Sequence, residues 1–430
     1  MREMKDSGIA WIGEIPKEWE IKKLGTFFKQ RNEKVSDKEF MPLSVTMQGI
    51  LPQLETAAKT NDGDNRKLVR QGDFAINSRS DRRGSCGISP YTGSVSLINT
   101  VLTPLNNINS KYYDWLFHTS MFADEYYRWG HGIVDDLWTT RWSEMKNIGV
   151  TVPSDYEQQR IATFLDEKCK EIDALIALQE EMITELQAYK QSVISEAVTK
   201  GLAPKVAMKD SGVEWIGEIP EHWEIMRLNE LGSYRKGPFG SALKISMFVP
   251  KSSHTIKVYE QQNAIKKNWQ LGSAYISNEY YYNVMQNFTV IPGDLIVSCA
   301  GTIGEIYEIP CTAEKGIINQ ALMRMRMKRD ILNIHFFIHI FNISIKNVSD
   351  VSSNGSAIKN IPPFNVLKKI KVPIPSIMEQ DQIIDYLDTQ CTRIDSLIAL
   401  KQTKIESLKE YKKSVIYEYV TGKKEVPATV

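Results

Sequence analysis

Two internal repeats dominate the amino-acid sequence, and each occurs once in the first half of the chain and once in the second. The first repeat runs over 4–21 and returns over 208–225, with 14 of 18 positions identical. The second runs over 153–199 and returns over 375–421, with 24 of 47 positions identical and no gap. A period near 200 residues is too long for a solenoid, whose repeats take about 20–50 residues. The pattern therefore predicts a duplicated unit with pseudo-two-fold symmetry.

The segments between the repeats scarcely resemble each other, so each half of the chain is expected to carry a different, variable module. One short match remains between these segments: Gly72-Asp73 and Gly293-Asp294 each precede an apolar run. This Gly-Asp motif predicts a tight turn that enters a strand. We expect an α+β chain built from two mixed α/β modules, two long helices and a short tail. These segments are 1–152 (module), 153–203 (helix), 204–373 (module), 374–423 (helix) and 424–430 (tail).

The second repeat is predicted to form a long helix in both copies. Ser154 and Ser376 each begin a Ser-x-x-Glu capping box, and Gly201 and Gly422 supply the stops. No proline lies between these signals, so about 43 residues can form one helix of about 65 Å. Such a helix cannot bury an apolar stripe alone, whereas two of them on one chain can bury each other. We therefore expect an antiparallel coiled coil.

Apolar residues in both helices recur at alternating steps of three and four, which is the spacing of a coiled-coil seam. Polar residues interrupt this seam at Gln179, Lys190, Lys401 and Lys412. The sequence leaves open whether these positions fix the register or are solvent-exposed ends of the seam. Two further leucines in each copy widen the stripe and leave apolar surface for another helical partner. The predicted seam residues are Leu165, Ile172, Ile176, Ile183, Leu186, Leu387, Ile394, Ile398, Ile405 and Leu408, and the extra leucines are Leu175, Leu178, Leu397 and Leu400.

Charge is unevenly distributed, although the formal net charge is only +1. Residues 226–373 hold 18 Lys and Arg against 9 Asp and Glu, whereas residues 151–206 hold 6 against 10. Such segmentation is typical of a protein that presents only part of its surface to DNA. The chain has no run of 18 apolar residues and no apolar stretch after its first residues, which predicts neither a membrane span nor a secretory signal. Five cysteines without a C-x-x-C pair fit reduced thiols and a cytoplasmic location.

The repeated opening Glu-Ile-Pro-x-x-Trp-Glu-Ile and the repeated Pro-Ser-x-x-Glu-Gln helix start resemble the specificity subunits of type I restriction-modification systems. The resemblance spans about residues 4–422 and rests on two motifs that each occur twice in the same order. It implies that the two modules are target-recognition domains, each of which reads one half of a split, asymmetric DNA site. It also implies that the helices act as a ruler between the half-sites and as a docking surface for modification subunits.

The resemblance further implies a non-catalytic chain that works with partners. These are double-stranded DNA, two methyltransferase (modification) subunits, and restriction subunits that cleave and translocate DNA. S-adenosylmethionine, ATP and Mg²⁺ are then expected on the partner subunits, with no cofactor or metal on this chain. Ile361-Pro-Pro-Phe364 only approaches an amino-methyltransferase motif, because isoleucine cannot hydrogen-bond a flipped amino group. The alternatives are a self-contained DNA methyltransferase or nuclease with unrecognised motifs, and a coiled-coil scaffold with no DNA role.

Four stretches of the modules combine basic or amide side chains with turn residues, which suits contacts to phosphates and base edges. The first follows the Gly-Asp strand of the first module, and the other three lie in the second module. An ordinary solvated loop or strand end is the alternative at each of them. The candidate DNA-contact residues are Arg79, Arg82 and Arg83; Arg235, Lys236 and Lys244; Gln261, Gln262 and Asn263; and Asn354 and Lys359. A turn at His131-Gly132 is a possible counterpart of the last stretch, and the tryptophans of the first repeat are expected to pack each module onto a helix end.

Overall fold

The structure, a computed structural model, describes residues 2–53, 63–79, 82–105, 108–132, 138–299, 302, 304–352 and 361–428. The chain forms two compact units. Unit 1 comprises Met1–Ile183 and Leu400–Val430, and unit 2 comprises Thr184–Ala399. Each unit therefore contains part of both helical repeats, and the predicted division into modules and helices stays a prediction.

Unit 1 is built around a four-stranded antiparallel sheet on which two helices pack. The strands are β1 (Met4–Asp6), β2 (Glu14–Pro16), β3 (Glu20–Lys23), β4 (Phe28–Arg31), β5 (Lys34–Val35), β6 (Leu43–Thr46), β7 (Gly49–Pro52), β8 (Arg66–Val69), β9 (Phe74–Asn77), β10 (Cys86–Ile88), β11 (Gly93–Val95), β12 (Asn99–Pro104) and β13 (Gly149–Val152). The short helices are α1 (Ser110–Phe117), α2 (Ser120–Arg128) and α3 (Trp142–Met145). The central sheet has the order β10-β9-β12-β4, and smaller sheets pair β11-β8-β5, β6-β7, β1-β2 and β13-β3. Aromatic side chains join helix to sheet, as where the ring of Phe117 lies 4.6 Å from that of Phe74.

The first long helix, α4 (Asp155–Lys200), leads into unit 2. The strands of unit 2 are β14 (Met208–Asp210), β15 (Glu218–Pro220), β16 (Glu224–Arg227), β17 (Gly232–Lys236), β18 (Thr255–Tyr259), β19 (Tyr275–Ser277), β20 (Thr289–Val290), β21 (Leu295–Ser298), β22 (Ile306–Glu308), β23 (Gly316–Ile318), β24 (Leu322–Met327) and β25 (Lys371–Ile374). The helices are α5 (Leu228–Leu231), α6 (Gln261–Ile265), α7 (Asn278–Tyr280), α8 (Ile334–Ser352), α9 (Phe364–Leu367) and the second long helix, α10 (Ile377–Val420).

The two units share one sheet plan. The order β22-β21-β24-β17 in unit 2 matches β10-β9-β12-β4 in unit 1, and the pairs β14-β15 and β16-β25 match β1-β2 and β3-β13. The modules differ in their second sheet, because unit 2 has the mixed order β19-β18-β23-β20, in which β18 and β23 run parallel. The predicted duplication and the α+β class are confirmed.

The Gly-Asp motif forms the predicted turn before β9 and before β21. Its two glycines adopt φ values of +87° and +85°, a region that glycine enters without steric cost. Asp73 and Asp294 are buried, and each accepts the backbone N–H of the residue three positions earlier, at 2.9 and 3.0 Å. Each carboxylate also binds a guanidinium, since Arg31 Nε lies 2.7 Å from Asp73 and Arg326 Nε lies 2.7 Å from Asp294. The motif is therefore structural in both units.

Both long helices begin and end as predicted. Each capping serine accepts the backbone N–H of the glutamate three residues on, at 3.3 Å in both copies. The same glutamates receive the indole N–H of a buried tryptophan from the first repeat, at 3.1 Å for Trp19 and Glu157 and at 3.3 Å for Trp223 and Glu379. This contact holds the first repeat against the helix start within each unit.

The first repeat also contacts the end of a long helix, where a glycine stops each one. Both stop glycines are left-handed, with φ of +74° at Gly201 and +72° at Gly422. A β-carbon added to Gly201 would lie 3.0 Å from the ring of Trp223, whereas one added to Gly422 would overlap Pro16.

The two long helices pack together as an antiparallel coiled coil. Within unit 1 the end of α10 meets the start of α4, as shown by the ring of Tyr419, 4.5 Å from that of Phe164. Within unit 2 the end of α4 meets the start of α10 in one apolar cluster that includes Val193, Ala197 and Leu387. Of the predicted seam, Leu165, Ile172, Leu387, Ile394 and Ile405 are buried, and Ile176, Ile183, Leu186, Ile398 and Leu408 are half-buried.

Two of the polar seam positions make reciprocal ion pairs. Lys190 Nζ lies 2.7 Å from both carboxylate oxygens of Asp395 in unit 2. Lys412 Nζ lies 2.6 and 2.7 Å from those of Asp173 in unit 1. Because both partners are shifted by the same repeat offset, the second pair is the symmetry equivalent of the first. The lysines therefore bind the facing helix and are not simply exposed ends of the seam. Among the described helices, none is long and apolar enough to cross a membrane.

Candidate nucleic-acid interface

A basic groove lies beside the central sheet of unit 1 and has a volume of about 590 Å³. Among the described residues, the charged side chains that line it are all cations: Lys67, Arg79, Arg141 and Lys146. Lys67 is half-buried and donates to the main-chain oxygen of Asn99 at 2.7 Å, and burial lowers its pKa. The other three cations lie at the surface or close to it. The remaining lining residues are Gln30, Ser78, Leu97, Ile98, Thr100, Thr139, Thr140, Trp142 and Ser143.

Backbone pairing brings two distant loops together at this groove. Thr139 forms an isolated β-bridge with Arg79, directly after β9, and a second one with His131. The second bridge has both hydrogen bonds, at 2.9 and 3.0 Å. The predicted arginine loop and the His131-Gly132 turn are therefore neighbours, which their separation in sequence did not reveal.

The other two predicted arginines of unit 1 lie farther along the same loop. Arg83 Nη1 pairs with Asp124 of α2 at 3.1 Å, and its guanidinium lies 3.7 Å from the ring of Tyr127. This pairing holds Arg83 against α2 while leaving 47% of its side chain exposed. Arg82 is exposed. The arginine loop thus presents Arg79 to the groove and Arg83 to the face of α2.

Unit 2 has a matching groove of about 550 Å³ at the end of β17. Within the described part of the chain, its charged lining residues are again cations, Arg235, Lys236 and Lys368. Phe239 is 88% exposed at the rim, which is a large apolar surface to leave in water. Lys368 Nζ lies 4.2 Å from the ring centroid of Phe364, a cation–π distance. The other lining residues are Tyr234, Gly237, Pro238, Gly240, Phe288 and Gln320.

One predicted contact is corrected by burial. Asn263 is fully buried in α6, where its amide donates to the main-chain oxygens of Asn268 and Leu271, both at 2.9 Å. Its side-chain oxygen accepts the backbone N–H of Glu260 at 2.7 Å, so the amide closes a loop and does not meet a base edge. Gln262 donates to the same glutamate at 3.1 Å.

The remaining predicted residues differ in their relation to the groove. Gln261 is half-buried beside Gln262, and Lys244 is exposed but does not line the groove. Asn354 and Lys359 lie outside the described residues. Of the predicted set, the structure therefore places Arg79 in one groove and Arg235 and Lys236 in the other.

Sequence reasoning missed the cations that the second half of each module contributes. Arg141 and Lys146 flank α3 in unit 1, and Lys368 follows α9 in unit 2. The available signal was the weak upstream extension of the second repeat, in which Trp142 and Lys146 align with Phe364 and Lys368. The aligned residues line the same side of both grooves. Among the described residues, no group of three His, Cys, Asp or Glu is placed to hold a metal ion.

A duplicated chain with a basic groove in each unit and an antiparallel helix pair has the architecture of a DNA-recognition subunit. The family model described as the type I restriction modification DNA specificity domain matches residues 16–188 and 220–410. The chain belongs to this family.

Relatives and solved structures agree with that assignment. The type I restriction enzyme MjaVIII specificity subunit of Methanocaldococcus jannaschii is 24% identical over 430 residues, which cover 95% of this chain and 93% of that protein. A chain solved in work on complex assembly and conformational transition of the type I R-M system has a TM-score of 0.67 at 14% identity, over 94% of this chain and 98% of that one. The HsdS subunit from Thermoanaerobacter tengcongensis has a TM-score of 0.53 at 15% identity, over 95% and 98%. At these identities the two structures establish the fold.

Proposed function

We propose that this chain gives a type I restriction-modification complex its DNA specificity, with each unit reading one half of a bipartite, asymmetric site in double-stranded DNA. One observation carries the proposal: both units have a groove at the same place in the shared fold, and the charged side chains that the structure describes in each groove are cations. Phosphate neutralisation needs such a surface, and base readout needs side chains that differ between the two half-sites. The cations of the variable modules differ in position, since Arg79 follows β9 in unit 1 whereas Arg235 and Lys236 end β17 in unit 2, and this difference suits an asymmetric site.

The helix pair supports a second part of the proposal, that α4 and α10 set the distance between the half-sites. α4 has 46 residues and α10 has 44, so each is about 65–70 Å long. The reciprocal ion pairs fix one register for the pair. Half-site spacing follows protein geometry in dimeric DNA readers, and a duplicated chain offers the same geometry.

The same helices offer docking surface for two copies of one partner. Leu175 and Leu178 of α4 are each 48% exposed, and their repeat equivalents Leu397 and Leu400 of α10 are 40% and 64% exposed. Tyr189 and Tyr411, another equivalent pair, are 58% and 49% exposed. Apolar surfaces that occur as an equivalent pair fit two identical methyltransferase subunits, to which restriction subunits are then added. In this proposal S-adenosylmethionine, ATP and Mg²⁺ bind to those partner subunits, and the complex works in the cytoplasm.

Mapping of methylated adenines in cells that carry the chain with its modification subunits tests the recognition proposal. The expected result is one asymmetric motif in two parts separated by a fixed spacer. Arg79→Ala is expected to relax base preference in one half of that motif only, and Arg235→Ala in the other half only. Lys5→Gln and Lys209→Gln, equivalent exposed lysines outside both grooves, serve as controls and leave the motif unchanged. Methylation without any bipartite motif would refute the proposal.

Insertion of seven residues at equivalent points of both helices tests the ruler. Seven residues are two helical turns, about 10.5 Å, so the seam is kept while the pair lengthens. We expect the methylated motif to keep both halves and to gain about three base pairs of spacer, at 3.4 Å each. An unchanged spacer in a folded, active variant would exclude the ruler.

Glutamate substitutions at the exposed leucines test the docking surface. Leu175→Glu with Leu178→Glu is expected to give, in size-exclusion chromatography with light scattering, a complex that holds one modification subunit where the wild type holds two. The matched variant, Leu397→Glu with Leu400→Glu, should behave in the same way. Retention of two subunits by both variants would place docking elsewhere.

A further inference from the structure

An aromatic residue and a lysine occupy the same place in both grooves. In unit 1, Trp142 begins α3 and Lys146 follows it, and both line the groove. In unit 2, Phe364 begins α9 and Lys368 follows it, and both line the other groove. In both units the lysine lies nine positions and the aromatic residue thirteen positions before the first residue of the long helix, in the weak upstream extension of the second repeat. The pairs therefore belong to the duplicated frame and not to the variable part of the modules.

The backbone holds both lysines in the same way. The carbonyl of Lys146 accepts the N–H of Gly25 at 2.9 Å, and the carbonyl of Lys368 accepts the N–H of Asn229 at 3.2 Å. The residue before each lysine, Met145 or Leu367, is fully buried and fixes the short helix to the core. Each lysine is therefore held in place at its main chain, and each lines its groove.

The lysine side chains have no acidic partner within the part of the chain that the structure describes. Among the ion pairs there, neither Lys146 nor Lys368 takes part. Glu144 is the nearest acidic residue in sequence to Lys146, and its carboxylate accepts the hydroxyl of Ser143 at 2.7 Å. A lysine that is held by its main chain and that lines a groove whose described charged residues are cations suits a phosphate, which binds a point charge without needing a particular base.

We propose that Lys146 and Lys368 are equivalent, sequence-independent phosphate contacts, one for each half of the DNA site. The groups that differ between the grooves, Arg79 and Arg141 in one and Arg235 and Lys236 in the other, then carry the base preference. Phosphates are the same in every half-site, so a contact to them belongs in the repeated frame, whereas base contacts belong in the variable loops. This inference rests on the proposed DNA-reading function and assigns to it a division of labour.

Salt dependence of DNA binding separates phosphate contacts from base contacts. Each phosphate contact adds about 0.9 to the slope of log affinity against log salt. With the full chain bound to its modification subunits, Lys146→Gln and Lys368→Gln are each expected to reduce that slope by about 0.9, and the double variant by about 1.8. The affinity deficit of each single variant should therefore grow about eightfold between 1 M and 0.1 M salt. The deficit should be equal on a target duplex and on a random-sequence duplex of the same length.

Matched variants make the result decisive. Lys146→Arg and Lys368→Arg keep the charge and should keep the slope, while Lys5→Gln and Lys209→Gln remove equivalent exposed charges outside the grooves and should leave it unchanged. An unchanged slope in Lys146→Gln and Lys368→Gln would overturn the inference. So would a deficit confined to the target duplex, because that result assigns the lysines to base readout. Failure of the wild-type complex to bind DNA would instead refute the proposed function itself.

Discussion

Charge reversal on one long helix is expected to weaken the coiled coil, and a matching reversal on the other helix is expected to restore it. Asp173→Lys with Lys190→Asp changes α4 alone and turns both reciprocal ion pairs into like-charge pairs. Asp395→Lys with Lys412→Asp on α10 then recreates opposite charges at both places. The four-charge variant should therefore regain the stability that the α4 variant loses.

The expected loss is modest because both pairs are partly exposed to solvent. The lysine side chains are 25% and 27% exposed, and the aspartates are 57% and 58% exposed. Pairs of this kind contribute about 0.2–1 kcal/mol each, and like charges in their place cost about as much. The two lost pairs and the two new repulsions together should cost the α4 variant about 1–4 kcal/mol. At 1 M salt the Debye length is only about 3 Å, so most of this difference should disappear.

Urea unfolding followed by circular dichroism at 222 nm measures the difference at low and high salt. A control reverses Lys168 and Glu171, whose ion pair of 2.9 Å lies within α4 and does not cross to α10. That control should change stability little, because the pair survives its own reversal. The reasoning fails if the four-charge variant is no more stable than the α4 variant, since the lysines would then not be paired across the helices.

Three further predictions concern the contacts between the first repeat and the helices. Gly422→Ala should lower the melting temperature more than Gly201→Ala. Both substitutions share the cost of a left-handed backbone, about 1–2 kcal/mol, but only the β-carbon added at Gly422 overlaps a neighbour, the rigid ring of Pro16; equal shifts would contradict this. Trp19→Phe should lower the free energy of unfolding in urea by about 1.5–3 kcal/mol, because it removes the hydrogen-bond donor to Glu157. In a Glu157→Gln background the same substitution should lower it much less. Burial raises the pKa of Glu379, but hydrogen bonds to its carboxylate outweigh burial and hold that pKa below its ordinary 4.5. The carboxylate of Glu379 therefore stabilises the folded state fully above about pH 4.5, and this stabilisation is lost as the pH falls through the lower pKa of the folded state. The difference in unfolding free energy between wild type and Glu379→Gln should shrink in acid. A difference that is independent of pH would argue against a role of this carboxylate.

The candidate site was predicted only in part, and the reason lies in what local sequence can report. Arg79, Arg235 and Lys236 were predicted from basic side chains beside turn residues, and they do line the grooves. Asn263 has the same kind of local signal but is buried. A run of amide residues does not indicate whether their hydrogen bonds will be made to backbone groups or to solvent. Lys146 directly follows the four-residue helix α3, and the residues around it carry no pattern typical of a DNA contact. Only its alignment with Lys368 pointed to it.

The sequence alone determined the duplication, both long helices with their caps and stops, the seam and the antiparallel pairing. These features follow from periodicity and from hydrogen bonds between residues three or four positions apart, which a linear pattern records directly. Only the tertiary structure decided that Thr139 pairs with Arg79, that Lys190 meets Asp395 across the coiled coil, and that the repeated lysines share a groove with the variable loops. Such contacts join residues up to about 200 positions apart and depend on how whole sheets and helices pack, so no spacing rule along the chain encodes them.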